Sequence, residues 1–227
     1  MKSETVSMNS KWVKSESVLD SNERDIHNNN NNNSQMYPLP KPGGPLKPRL
    51  DAVQKKIEVQ VRRLEELRSI HGLKDCEVFT KFTDSLNENN TQHLTILSSE
   101  LTRSRQIARV LLLSSASLEK LASKISSASD FGNLVIVLSP AMAVIKNLRS
   151  SITPFVPEME EEFGIISELL SGILVDAGQV GGFTIDFEKA NEQAAQFLAD
   201  VSEVVDQKMK EEFSKVPELP VIPISFL

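Results

Sequence analysis

From Asp75 to about Ile125, a stripe of mostly apolar or small residues recurs at helical spacing: Phe79, Phe82, Leu86, His93, Leu97, Leu101, Ser104, Ala108, Leu111, Ser115, Leu118, Ala122 and Ile125. No proline or glycine interrupts the run, so the pattern predicts one helix. Roughly 50 residues at about 1.5 Å each would make a rod of about 75 Å, too long to be enclosed by a chain of this size. It must lie along another helix or another copy of the chain. A shorter amphipathic stretch precedes it, starting after Pro48, with Leu50, Val53, Ile57, Val61, Leu64 and Leu67 as its seam. Gly72 reads as its left-handed C-cap and Asp75 as the cap of the long helix. The expected connection, Gly72-Leu73-Lys74, allows only an antiparallel turn. The first helix would then cover about half of the second, and the uncovered half from about Ser104 is a physical reason to expect assembly.

Three further helical stretches follow. Residues 133–152 contain Pro140, which either kinks the helix or marks its true start. The next begins near Pro154 or Pro157, carries Glu158, Glu160, Glu161 and Glu162 in its first turn, and is expected to stop at Gly178. After a hinge at Gly178, Gly181 and Gly182, a last helix capped by Thr184 or Asp186 shows Phe187, Ala190, Ala194, Phe197, Val201, Val204 and Phe213 on one stripe. Strand-like alternation is nearly absent, so the fold class is all-α: a long antiparallel helical hairpin with shorter C-terminal helices.

Composition separates the ends from this body. Residues 1–46 hold the run Asn28 to Asn33 and the prolines 38, 40, 42 and 45, and read as a disordered tail. Met8 and Trp12 sit four apart, with Val13 beside them and Lys11 and Lys14 flanking Trp12-Val13; a short membrane-inserting helix is the alternative there, but the run is brief and serine-rich and reads as part of that solvated tail. Four segments result: the tail 1–46, a helical core 47–178, a hinged acidic helix 179–213 that restrains assembly, and a terminal segment 214–227. The last contains Val216-Pro217-Glu218-Leu219-Pro220, where prolines hold an extended strand with apolar side chains set between them, as a docking peptide would.

The net charge of −6 conceals a polarity. Residues 47–74 carry eight Lys and Arg against four acids, whereas residues 155–213 carry fourteen acids against three lysines. A basic front and an acidic back attract within a chain or between chains. On the first helix, Lys55 and Arg62, and Lys56 and Arg63, repeat at seven. Lys55 and Arg62 have Asp51 and Glu58 four residues earlier as ion-pair partners. Lys56 and Arg63 have none, which makes them the anchors of any footprint on an anionic membrane surface.

Catalysis finds no support in the sequence. The single cysteine, Cys76, excludes a disulfide framework or a cysteine metal site and fits a reducing cytosol. His27, His71 and His93 lack metal-ligand spacing, no glycine-rich phosphate loop appears, and the serines of the helices have no partnered histidine. No cofactor is expected. A nucleic-acid role sits poorly with an acidic chain whose aromatics make up only 5%. The longest apolar run, Leu134 to Ile145, is too short to cross a bilayer.

The chain resembles the ESCRT-III family, in particular its archaeal cell-division (CdvB-type) branch, over about residues 45–223. The likeness rests on the basic first helix, the segments Arg103-Ser-Arg-Gln-Ile-Ala-Arg-Val-Leu-Leu-Leu113 and Leu138-Ser-Pro-Ala-Met-Ala-Val-Ile-Lys-Asn-Leu-Arg149, and Pro157-Glu-Met-Glu-Glu-Glu-Phe163 with its acidic end. The motif Val216-Pro217-Glu218-Leu219-Pro220 is similar to a proline-rich MIT-interacting motif. The resemblance implies filaments of the chain and its paralogues that coat and constrict anionic membrane necks at the division site, on the cytoplasmic side. It implies an AAA ATPase (CdvC-like) that docks by its MIT domain on Val216, Pro217, Leu219 and Pro220, and a closed state with the acidic helices folded on the hairpin. The winged helix of full-length CdvB finds no counterpart in the seven residues 221–227, so the chain resembles the shorter paralogues. A coiled-coil adaptor that assembles without lipid is the competing reading.

Overall fold

The computed structural model describes residues 45–88, 91–128, 131–182, 184 and 186–213. The N-terminal tail and the proline-rich segment 214–227 lie outside the described residues. Five helices and one short turn make up the order: α1 (Leu46–Asn87), α2 (Thr91–Ser127), α3 (Phe131–Ile152), a 3-10 turn (Pro157–Met159), α4 (Glu160–Gly181) and α5 (Phe187–Phe213). Among the described residues there is no strand.

The hairpin is present, but its turn is not at Gly72. α1 continues for 42 residues through Gly72, Leu73 and Asp75, and the chain reverses between Glu88 and Thr91. The physical reason lies beyond the glycine. Val78 and Phe82 pack with Leu94, Leu97 and Leu101 in a small apolar cluster of their own, with Phe79 against it. Burying several such side chains at about 1.5–3 kcal/mol each outweighs the roughly 1 kcal/mol cost of a glycine inside a helix. Asp75, expected as a cap, is instead buried in mid-helix at 6% exposure. Across the tip, the Ser85 hydroxyl and His93 Nδ1 are 2.8 Å apart. Helix α1 starts at Leu46 rather than after Pro48, which sits harmlessly in the first turn, where no amide partner is lost.

With 42 and 37 residues, the hairpin arms are nearly matched. The expected mismatch, and the case for assembly built on it, are therefore absent. The second half of α2 is covered within the chain, by the start of α1 on one side and by α3 and α5 on others. Val53, Ile57 and Leu64 of α1 join Leu111, Leu118 and Leu121 of α2 in the main core, with Leu138, Ile145 and Leu148 of α3. Phe163, Ile166, Leu170 and Ile173 of α4 complete it, and Phe163 is fully buried.

Pro140 lies inside α3. Residues Asn133–Ile152 and Pro157–Val180 prove long and apolar enough to cross a membrane by length and composition, contrary to the expectation from the apolar run alone. Each packs one face on the main core, with 39% and 33% of the apolar window buried, and leaves Ile136, Val175 and Val180 exposed. The salt bridge from Arg49 ties α4 to α1 through Asp176. Helix α4 runs on through Gly178, held by the buried Ala177 and by that bridge, and ends at Gly181. Gly182 follows at φ 65°, a left-handed C-cap that a side chain would strain.

Candidate functional site

The four basic positions of α1 do not form one free patch. Lys55 and Arg62 are exposed on the side of α1 away from the seam. Arg62 donates through Nε to the Glu58 carbonyl at 3.4 Å, and the Glu58 carboxylate accepts instead from Gln54 at 3.2 Å. The expected Glu58–Arg62 ion pair is replaced by these bonds. Lys56, expected without a partner, bridges to Glu162 of α4 at 3.4 Å, and Gln60 donates to the same carboxylate at 3.3 Å. The first-turn acids of α4 are thus spent partly on holding α4 along α1. Arg63 is half-buried and has no ion-pair partner among the described residues.

The acidic helix α5 lies antiparallel to α2, on cations that sequence reasoning did not single out. Arg109 donates to Asp206 through Nε at 2.7 Å and Nη2 at 3.1 Å, and to the Ser202 hydroxyl at 2.8 Å. Lys120 meets Asp200 at 3.8 Å, and Arg68 of α1 meets Glu212 at 3.3 Å. Two aromatic rings add cation–π contacts. Arg105 lies 5.0 Å from the Phe213 ring centre, and Lys120 and Lys124 lie 4.9 and 5.1 Å from that of Phe197. Beneath these contacts runs the buried stripe Ala190, Ala194, Phe197, Val201 and Val205. Phe187 and Val204, expected on the stripe, are 64% and 51% exposed: Phe187 begins the helix, and Val205 takes the inward place. Asp186 accepts a hydrogen bond from the Lys189 amide at 3.0 Å, the expected N-cap.

The apolar stripe carries most of the attachment, while the ion pairs set its register. Exposed pairs such as these contribute about 0–1 kcal/mol each. The hydrogen bonds from Arg109 hold the Asp206 carboxyl below its usual range, and Asp206 correspondingly raises the Arg109 guanidinium. A depressed carboxylate pKa gives stability that is present above its unfolded value and lost as pH falls through the folded one. Amide exchange in α5 is therefore expected to accelerate relative to α3 once acidification passes below the ordinary aspartate range. Arg109→Gln should abolish that difference.

Gly182 marks the end of α4, and Gly178 and Gly181 are within the helix. Val216, Pro217, Leu219 and Pro220 lie outside the described residues. Among the described residues no group of three or more His, Cys, Asp or Glu could hold a metal ion. One signal for the α5 seat was available in the sequence. Arg109 and Lys120 stand eleven apart, close to three helical turns, and share one face.

The chain is 28% identical over 184 residues to Cell division protein B1 of Sulfolobus acidocaldarius, covering 81% of this chain and 86% of that protein. It is 23% identical over 175 residues to Cell division protein B of the same organism, covering 77% of this chain but only 63% of that protein. No protein-family profile matches, and no solved structure matches.

Proposed function

We propose that the chain, by its likeness to these two cell division proteins, is a CdvB-like member of the ESCRT-III family and assembles filaments on membrane during cell division. Copies of the chain and its paralogues coat the cytoplasmic face of an anionic membrane neck and constrict it. An AAA ATPase then extracts subunits by the segment 216–220. The protein's part is structural and not catalytic, and its ligands are other subunits and anionic lipid.

One observation carries this reading. An acidic helix on a short connection, residues 182–186, closes over the basic side of a long hairpin through largely exposed ion pairs. Contacts of that kind are exchanged readily for a competing surface. The closed chain is then the soluble reserve, and release of α5 frees the hairpin for a neighbour.

Asp200→Lys combined with Asp206→Lys reverses two of the three bridges while sparing the buried stripe. Losing two exposed pairs and gaining two repulsions amounts to roughly 1.5 kcal/mol, or about tenfold. The variant is expected to form sedimentable polymer at about one-tenth of the wild-type concentration. If both proteins sediment at the same threshold, restraint by α5 is refuted. If neither sediments with or without vesicles, filament formation itself is refuted.

A further inference from the structure

Five helix ends meet at the end of the bundle opposite the hairpin tip. Helix α1 starts there at Leu46, α3 at Phe131 and α5 at Phe187, while α2 ends there at Ser127 and α4 at Gly181. The bridge from Arg49 to Asp176 sets the close of α4 against the first turn of α1. Charge is nearly missing from α3 and α4 at this end. Residues 131–145 carry none, and residues 169–182 carry only Asp176, which Arg49 neutralises. Large apolar side chains nevertheless face outward. Val180 is 74% exposed and Ile136 64%, and Val175 and Phe187 are exposed at the same end. Phe187 keeps the spacing of the inward stripe but stands one turn before its first buried residue, Ala190.

Packing explains only part of this apolarity. A core helix of a globular fold is apolar because its neighbours bury it, yet only 39% and 33% of the apolar windows of α3 and α4 are buried. Where α5 seats on the hairpin, the apolar stripe is flanked by ion pairs and cation–π contacts. The outward residues of α3 and α4 have no such pairing groups between them, and hydrocarbon asks for none. The exposed hydroxyls here are also spent. Ser126 and Ser127 donate to the carbonyls of Ala122 and Lys124 at 3.0 and 2.8 Å, so they leave water at reduced cost.

We propose that this end of the bundle is a lipid contact in its own right, with Ile136, Val175, Val180 and Phe187 entering the acyl boundary of a bilayer. Depth is limited by the backbone. The last carbonyls of α2 and α4 lack intrahelical donors and need water, which the hydrocarbon core does not supply. The contact therefore stops at the interface, about 5–10 Å deep, and does not span. The charges around it are of both signs, Lys47, Lys124 and Lys189 with Asp51, Asp186 and Glu188, so no single headgroup charge is selected. The inference rests on the reading that the chain works on membrane, and adds a contact separate from the basic positions of α1. Arg62 is thirteen residues along α1 from Arg49, about 20 Å. Salt weakens a contact made by cations but not one made by burial of apolar surface.

The experiment puts an environment-sensitive fluorophore at residue 180 of the full-length protein, as Val180→Cys on a Cys76→Ser background. A control protein carries it on the native Cys76, which is exposed and lies 27 residues along α1 from Arg49, about 40 Å. Both are mixed with neutral phosphatidylcholine vesicles in about 0.5 M salt, where the basic contact is screened. Emission from residue 180 is expected to shift to the blue and to be quenched by bromine on the lipid acyl chains, and emission from residue 76 to do neither. Ile136→Asp with Phe187→Asp, both at exposed sites, should lower the affinity read by residue 180 about a hundredfold, roughly tenfold per side chain. Arg62→Glu with Arg63→Glu should leave it unchanged. An unshifted probe at residue 180, in protein that still pellets with anionic vesicles at low salt, overturns the apolar contact and leaves the basic one standing. Equal affinity of wild type and the aspartate variant, with helix content retained, also overturns it. So does a blue shift that needs no vesicles and grows with protein concentration, which assigns this end to a second copy. Failure to pellet with any vesicle refutes the membrane reading itself, and this contact with it.

Discussion

Replacing Arg62 and Arg63 together with glutamate is expected to lower partitioning onto anionic vesicles by about a thousandfold. Each charge close to such a surface is worth about 1 kcal/mol. Two reversals remove two cations and add two anions, a change of about 4 kcal/mol, or three decades. These two positions replace the pair that sequence spacing favours. Lys56 is engaged with Glu162 at 3.4 Å, so reversing it breaks the α1–α4 contact as well as any lipid contact. Arg62 is exposed, and only its Nε is committed, to a backbone carbonyl. Arg63 is half-buried without an ion-pair partner among the described residues. Neither change reaches the seam, where Val61 and Leu64 are buried. Sedimentation with anionic and with neutral vesicles is the measurement. Equal pelleting of wild type and double variant with anionic vesicles, both folded, refutes α1 as the membrane face.

Much of the helical framework was legible in local periodicity. The hairpin, α3, the acidic first turn of α4 and the inward stripe of α5 all follow from three-and-four spacing and capping chemistry. The turn was not, and the reason is local. Between Leu67 and Val78 the inward positions of α1 include the buried polar residue Asp75 and the half-buried His71. With Gly72 beside them, that stretch imitates a break. The true reversal carries the polar run Asn87-Glu88-Asn89-Asn90, a turn-forming composition. It was overridden because apolar spacing resumes on both sides of it.

The candidate site was legible only as a polarity, basic front against acidic back. Which cation meets which acid depends on how helices distant in sequence are laid together. Lys56 with Glu162, Arg109 with Asp206 and Arg68 with Glu212 are 106, 97 and 144 residues apart. Periodicity within one helix carries no information about such partners. Even inside α5 the choice between Val204 and Val205 is set by the seat on α2 and α3, and either valine satisfies a helical stripe.

Leu219→Asp is expected to abolish docking of the C-terminal segment on a MIT domain while leaving vesicle binding and polymerisation intact. The prolines at 217 and 220 fix the backbone near its bound form, so little conformational entropy is lost on binding. Val216 and Leu219 then supply the contact. Burying two such side chains yields about 1.5–3 kcal/mol each, and with backbone contacts and association costs the net is about micromolar. A carboxylate at the central apolar position forfeits one of these terms and adds an unpaired charge in an apolar groove, so the loss exceeds a hundredfold. Titrating a labelled peptide of residues 210–227 against the MIT domain of the host's AAA ATPase measures it. Equal affinity of wild-type and substituted peptides refutes the motif. A weak single contact suits a motif displayed many times along a filament, where linkage of sites multiplies the affinity.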